Sequence, residues 1–161
     1  MKTFKIVLTV FLAYLLQITV LSRFPVFGVR ADILLIITTL FAVTYGAEEG
    51  FLMGLLCGLV QDVFGGSFYM HTVSMSLLGF LIGTFKESVF GTEEGVALIA
   101  VAVATATYFV LELTILFFFF GRPTASLPVL AMTLFISCLY NSLLAPLIYP
   151  AVKFKSKLVM E

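Results

Sequence analysis

The sequence has no tryptophan, a single histidine, two cysteines and little charge. Each shortage removes a class of protein. Charged residues make up 11% of the 161 positions, against about 25% in ordinary soluble domains, while 61% are hydrophobic and the mean hydropathy is +1.18. A soluble domain of this size keeps much of its surface in water and could not hide so much apolar side chain. Lipid is the expected solvent for most of the chain. Nine basic and nine acidic residues give zero net charge, with no basic patch of the kind that binds nucleic acid. Cys57 and Cys138 both stand inside apolar runs. With no C-x-x-C and one histidine they make no zinc site, and they read as small packing residues rather than a disulfide. No cofactor is implied. Without tryptophan, tyrosine and phenylalanine must supply any interfacial aromatic belt.

What the sequence has instead is long continuous apolar runs, at roughly 4–21, 32–46, 50–64, 72–85, 96–120 and 129–149. Backbone polar groups in lipid must be satisfied internally, so spanning segments are helices or a closed barrel. Barrel strands alternate apolar and polar, and these runs do not. The expectation is an all-α integral membrane protein, one domain over residues 1–161, with six transmembrane helices. The first, fifth and sixth runs reach the roughly 20 residues a span needs. The second, third and fourth must borrow flanking residues or thin the bilayer, and the third and fourth are also compatible with a re-entrant hairpin around GGSFYMH (65–71). Lys2 and Lys5 before an apolar core resemble a signal peptide, but no small-x-small cleavage site follows, so the segment reads as a retained helix. With six spans, Lys2, Lys5, Lys86, Lys153, Lys155 and Lys157 fall on one side and Arg23, Arg30 and Arg122 on the other. That bias puts both termini in the cytoplasm. The tail KFKSK (153–157) reads as a stop-transfer flank.

In GFLMGLLCGLVQDVFGG (50–66), Gly50, Gly54 and Gly58 recur every four residues and therefore share a helix face. Gly79 and Gly83 make a second pair in LLGFLIG. In lipid, helices associate through close packing, which small residues permit. The third and fourth helices are expected to cross through these grooves, or one groove faces outward to receive a helix of a partner. Asp62 continues the stripe. It either caps the GGSF turn, with Gln61 beside it, or faces the bundle interior and bonds across helices. Asp32 is placed to N-cap DILLII at the outer edge. Glu112, in YFVLELTILF, is flanked by apolar residues on both sides and must be protonated, paired or beside water. A polar cluster is expected in the outer half, built from Asp62, Glu112, Gln17 and Asn141, with Arg23 and Arg30 as candidate counter-charges. Asn141, five residues before Pro146, is also placed to help satisfy a kinked backbone. His71 reads as an interfacial residue. No G-x-S-x-G, H-E-x-x-H, P-loop or catalytic triad is present, and no enzyme is expected.

GLLCGLVQDVFGG (54–66) resembles the glycine-rich G-L-x-x-D signature of the rod shape-determining MreD family, and LYNSLLAPLIYPAV (139–152) resembles that family's N-x-x-x-x-P end. The size, the six runs and the Asp opening the second helix (RADILLI) agree, so the resemblance covers essentially the whole chain. The chain departs at Ala31, where the family often has Pro, and at SFYMHT, where it tends to have Gly. The resemblance implies a non-enzymatic, multi-pass bacterial inner-membrane component of the cell-elongation machinery. Its implied partner is a bitopic MreC-like protein, and through it MreB filaments, the RodA glycosyltransferase and its transpeptidase. It also implies a compact bundle similar to the substrate-binding S components of energy-coupling-factor vitamin transporters. Small-molecule binding in the outer half is therefore the rival expectation.

Overall fold

The computed structural model describes residues 2–66, 69–85, 94–121 and 126–160. Within them lie six α-helices: α1 (Lys2–Thr19), α2 (Ile33–Tyr45), α3 (Ala47–Gly65), α4 (Met70–Thr84), α5 (Glu94–Phe120) and α6 (Leu127–Met160), with a 3₁₀ turn at Leu21–Arg23. Among the described residues there is no strand, only one isolated bridge, Val26 to Val29. It closes a tight turn in which Phe27 and Gly28 both have positive φ, the geometry of a type I′ turn. Lys86, Glu87, Glu93 and Arg122 lie outside the described residues.

Among the described residues three segments are long and apolar enough to cross a membrane: Ile6–Arg23, Ala97–Phe119 and Leu127–Pro150. At 1.5 Å per residue, α2 and α4 extend only about 20 and 22 Å, short of a hydrocarbon core of about 30 Å. The last helix runs beyond the apolar run that marks it in the sequence, through KFKSK to Met160. It contains Pro146 and Pro150, which remove two backbone donors without ending it.

The fold is organised on the α3–α4 hairpin, whose mutual contact is the most extensive in the molecule. A Cβ built on Gly50 would lie 2.5 Å from the Gly79 carbonyl oxygen, and one on Gly58 2.5 Å from the His71 carbonyl oxygen and the Thr72 Cα. One on Gly54 would fall inside the Met75 carbonyl, one on Gly79 inside the Gly50 carbonyl, and one on Gly83 2.5 Å from the Ala47 Cα. The pairings run antiparallel along the full seam. Even a methyl group has no room, because the opposing atoms are backbone. The groove is thus closed by the chain's own helix, and an outward-facing groove for a partner helix, one of the two sequence expectations, is not what the chain builds.

Two turns set this hairpin against α2. Gly46 joins α2 to α3 alone, with φ +108°, a conformation glycine adopts without strain. Gly66 ends α3 in the left-handed region, its amide donating to the Asp62 carbonyl at 2.9 Å, the usual glycine helix stop. One core cluster joins α1 to α5 around Leu34, Leu35, Cys57, Met75, Leu78 and Ala104. A second joins α2, α5 and α6 around Ile36, Leu40, Val101 and Ala145. Three buried hydroxyls bond within their own helices, Thr39 donating to the Leu35 carbonyl, Thr105 to Val101 and Ser76 to Thr72, the local solution available where water is absent. The Thr38 and Ser74 hydroxyls have no hydrogen-bond partner among the described residues.

Candidate functional site: a polar junction at two helix N-termini

A helix begins with backbone amides that have no partner in its own ladder. In lipid-facing surroundings those amides need side chains. The short helices α2 and α4 both begin inside the bundle, and the polar residues of the chain gather on their first turns.

At α2, Asp32 is the N-cap and accepts from the Leu35 amide through Oδ1 at 3.0 Å. The Leu34 amide donates to Gln17 Oε1 of α1 at 3.2 Å. The Asp32 amide donates to Asn141 Oδ1 of α6 at 3.0 Å. Asn141 in turn donates from Nδ2 to Thr105 Oγ1 of α5 at 3.2 Å, and Gln61 of α3 donates from Nε2 to Asp32 Oδ2 at 3.1 Å. Side chains from α1, α3, α5 and α6 thus meet at the start of α2. Thr105 stands near the middle of α5 and Asn141 well inside α6, so the start of α2 packs against the middle of those two long helices. Asn141 is spent here and not on the backbone around Pro146. The nearby hydroxyl of Ser142 donates to the Leu98 carbonyl.

At α4, the buried Asp62 accepts from the His71 amide at 3.1 Å, the Thr72 amide at 2.8 Å and the Thr72 hydroxyl at 2.6 Å. Its side chain starts α4 while its own carbonyl stops α3. The two sequence readings of Asp62 merge: it caps the turn and it bonds across helices. Both aspartates face only donors, at the positive ends of helix dipoles, where a carboxylate is favoured.

Glu112 of α5 is reached by His71 of α4, with Nδ1 to Oε1 at 2.9 Å, and by the Tyr108 hydroxyl, which donates to Oε1 at 2.8 Å. His71 Nδ1 and the Tyr108 hydroxyl are themselves 2.5 Å apart, so three polar atoms form a closed triangle. Arg23 and Arg30, the expected counter-charges, are exposed, and Glu112 pairs with the histidine instead. Asp32 lies within electrostatic reach of His71 and Glu112, and Gln61 and Asp62 are adjacent in the chain, so the groups around α2 and α4 form one junction. The sequence reading missed His71, Thr72, Thr105 and Tyr108. The one usable signal for Tyr108 is its i, i+4 spacing to Glu112; nothing in the sequence links His71 to α5.

Most polar groups of the junction satisfy one another, and Gln61 Oε1 is the exception, buried with no hydrogen-bond partner among the described residues. The aspartate oxygens and the Asn141 side chain are taken up by bonds within the chain. No group of three or more histidine, cysteine or acidic residues is arranged to hold a metal ion among the described residues. Cys57 is buried and Cys138 partly so, both as free thiols; the Cys138 thiol contacts the Ala102 carbonyl at 3.5 Å. A separate apolar groove of about 320 Å³ lies between α5 and α6, lined by Val110, Leu113, Thr114, Phe117 and Leu130. No family model, no curated protein and no solved structure matches the chain.

Proposed function

We propose that this chain is a non-enzymatic, multi-pass subunit of the bacterial inner membrane, an MreD-like member of the cell-elongation complex. Its work is to hold a bitopic MreC-like partner and so help couple MreB filaments to peptidoglycan synthesis by RodA and its transpeptidase. The observation that carries this reading is a coincidence of residues. Those that bear the family resemblance, Gly54, Gly58, Asp62, Asp32 and Asn141, are the same ones that seal the α3–α4 seam and start the two short helices. A motif spent on holding a bundle together is what an assembly subunit requires. A transporter component would keep its convergent polar groups free for a ligand, and here they are largely bonded to one another.

All six helices cross the membrane in this reading, α2 and α4 with local thinning, and both termini face the cytoplasm, on the lysine and arginine bias. The partner's helix lies on an outer face of the bundle, because the glycine seam is filled. Affinity isolation of the full chain from bacterial membranes, with co-purifying chains identified by mass, tests the proposal. Recovery of a bitopic coiled-coil protein supports it. Recovery of a pair of ATPases in its place overturns it in favour of a vitamin-transporter S component.

A further inference from the structure

The three carboxylates of the junction are not held alike. Asp32 and Asp62 each sit on a helix N-terminus and accept from backbone amides, so their charges are met by fixed dipoles that do not titrate. Glu112 has no helix N-terminus. Its partners among the described residues are the neutral Tyr108 hydroxyl and the His71 imidazole. His71 is the one histidine in the chain, and about a fifth of its side chain is left uncovered by the rest of the protein.

We propose that the His71–Glu112 pair is a proton-controlled latch between α4 and α5. When the imidazole carries a proton it is a cation among Glu112 of α5, Asp62 of α3 and Asp32 of α2, and the two helices are drawn together at this end of the bundle. When it loses the proton, the Glu112 carboxylate keeps only the Tyr108 hydroxyl and a neutral nitrogen as partners. The cation that drew α4 to α5 is then gone, and the α4–α5 contact loosens. Asp62, which holds the first turn of α4, stays bonded through backbone donors in both states, so the change is confined to the α4–α5 contact. The sign follows from the charges. The stabilisation is present while His71 is protonated, and it is lost as pH rises through the imidazole titration. The latch depends on no partner and stands apart from the assembly reading.

The test uses the full chain in lipid nanodiscs, purified on a tag without histidine, with melting followed from about pH 5 to about pH 8.5, the range in which histidine changes charge. The wild-type melting temperature is expected to fall by roughly 3–6 °C across that range, the size of a one- to two-kilocalorie change in a chain of this length. His71→Gln is expected to lose this pH dependence, and Glu112→Gln, which leaves the imidazole facing Asp62 and Asp32, to keep only a reduced part of it. Because the chain has one histidine, its imidazole resonance in the wild-type protein reports protonation without ambiguity, and that transition must coincide with the melting profile. A His71→Gln or Glu112→Gln protein that keeps the full wild-type pH dependence overturns the latch. So does a wild-type imidazole that titrates outside the range in which melting changes, a result that needs no variant to fold.

Discussion

Asp62 is the residue with the most to lose. It is 5% exposed and accepts three hydrogen bonds, two of them from amides that α4 cannot satisfy itself. Asparagine keeps the shape but turns one acceptor into a donor facing donors, and it removes the charge from the helix dipole. Asp62→Asn is expected to cost about 2–4 kcal/mol, read as a lowered denaturation midpoint, with the loss of protection concentrated in the first turn of α4 on hydrogen exchange. Unchanged protection at His71 and Thr72 would remove Asp62 from this role. The glycine stripe led to this aspartate from the sequence because its spacing is local. His71 was out of reach for the opposite reason: its partner Tyr108 is 37 positions away, and no local pattern encodes that meeting.

Among the elements, α2 shows why a short helix in a membrane bundle draws on the others. The amides of Asp32, Leu34 and Leu35 at its start are served by Asn141 of α6, Gln17 of α1 and its own N-cap Asp32. Asn141→Ala removes the acceptor for the Asp32 amide and the donor to Thr105. The expected loss is about 1–3 kcal/mol, the range for a buried donor left unpaired. Asn141→Asp, which keeps the acceptor but when ionised adds a second buried carboxylate beside Asp32, is expected to lose less at pH values where it is protonated. Chemical denaturation of the three proteins in one detergent checks the order. The positions of the helices were legible in the sequence, because apolar runs between glycine and charge are a strong signal. The meeting of Asp32 with Asn141 was not, since it depends on how α6 packs beside α2. The end of α6 was also hidden: apolar content stops near Pro150, but a backbone ladder continues wherever no residue breaks it, and lysine is a good helix former.

Across the whole molecule, the α3–α4 hairpin is the piece on which the rest is hung. α2 packs on both of its helices, α1 on α3 and α5 on α4. All of this requires α3 and α4 to touch backbone to backbone. Thermal melting of the purified chain alone, without any partner, compared with Gly54→Ala, tests that requirement most directly. A methyl group driven against the Met75 carbonyl should cost about 3 kcal/mol or more, the upper range for overpacking where backbone must move, and lower the melting temperature by roughly 6 °C or more. A Gly54→Ala protein that melts with the wild type and loses only its binding partner would mean that the groove belongs to that partner, and the seam described here would be wrong.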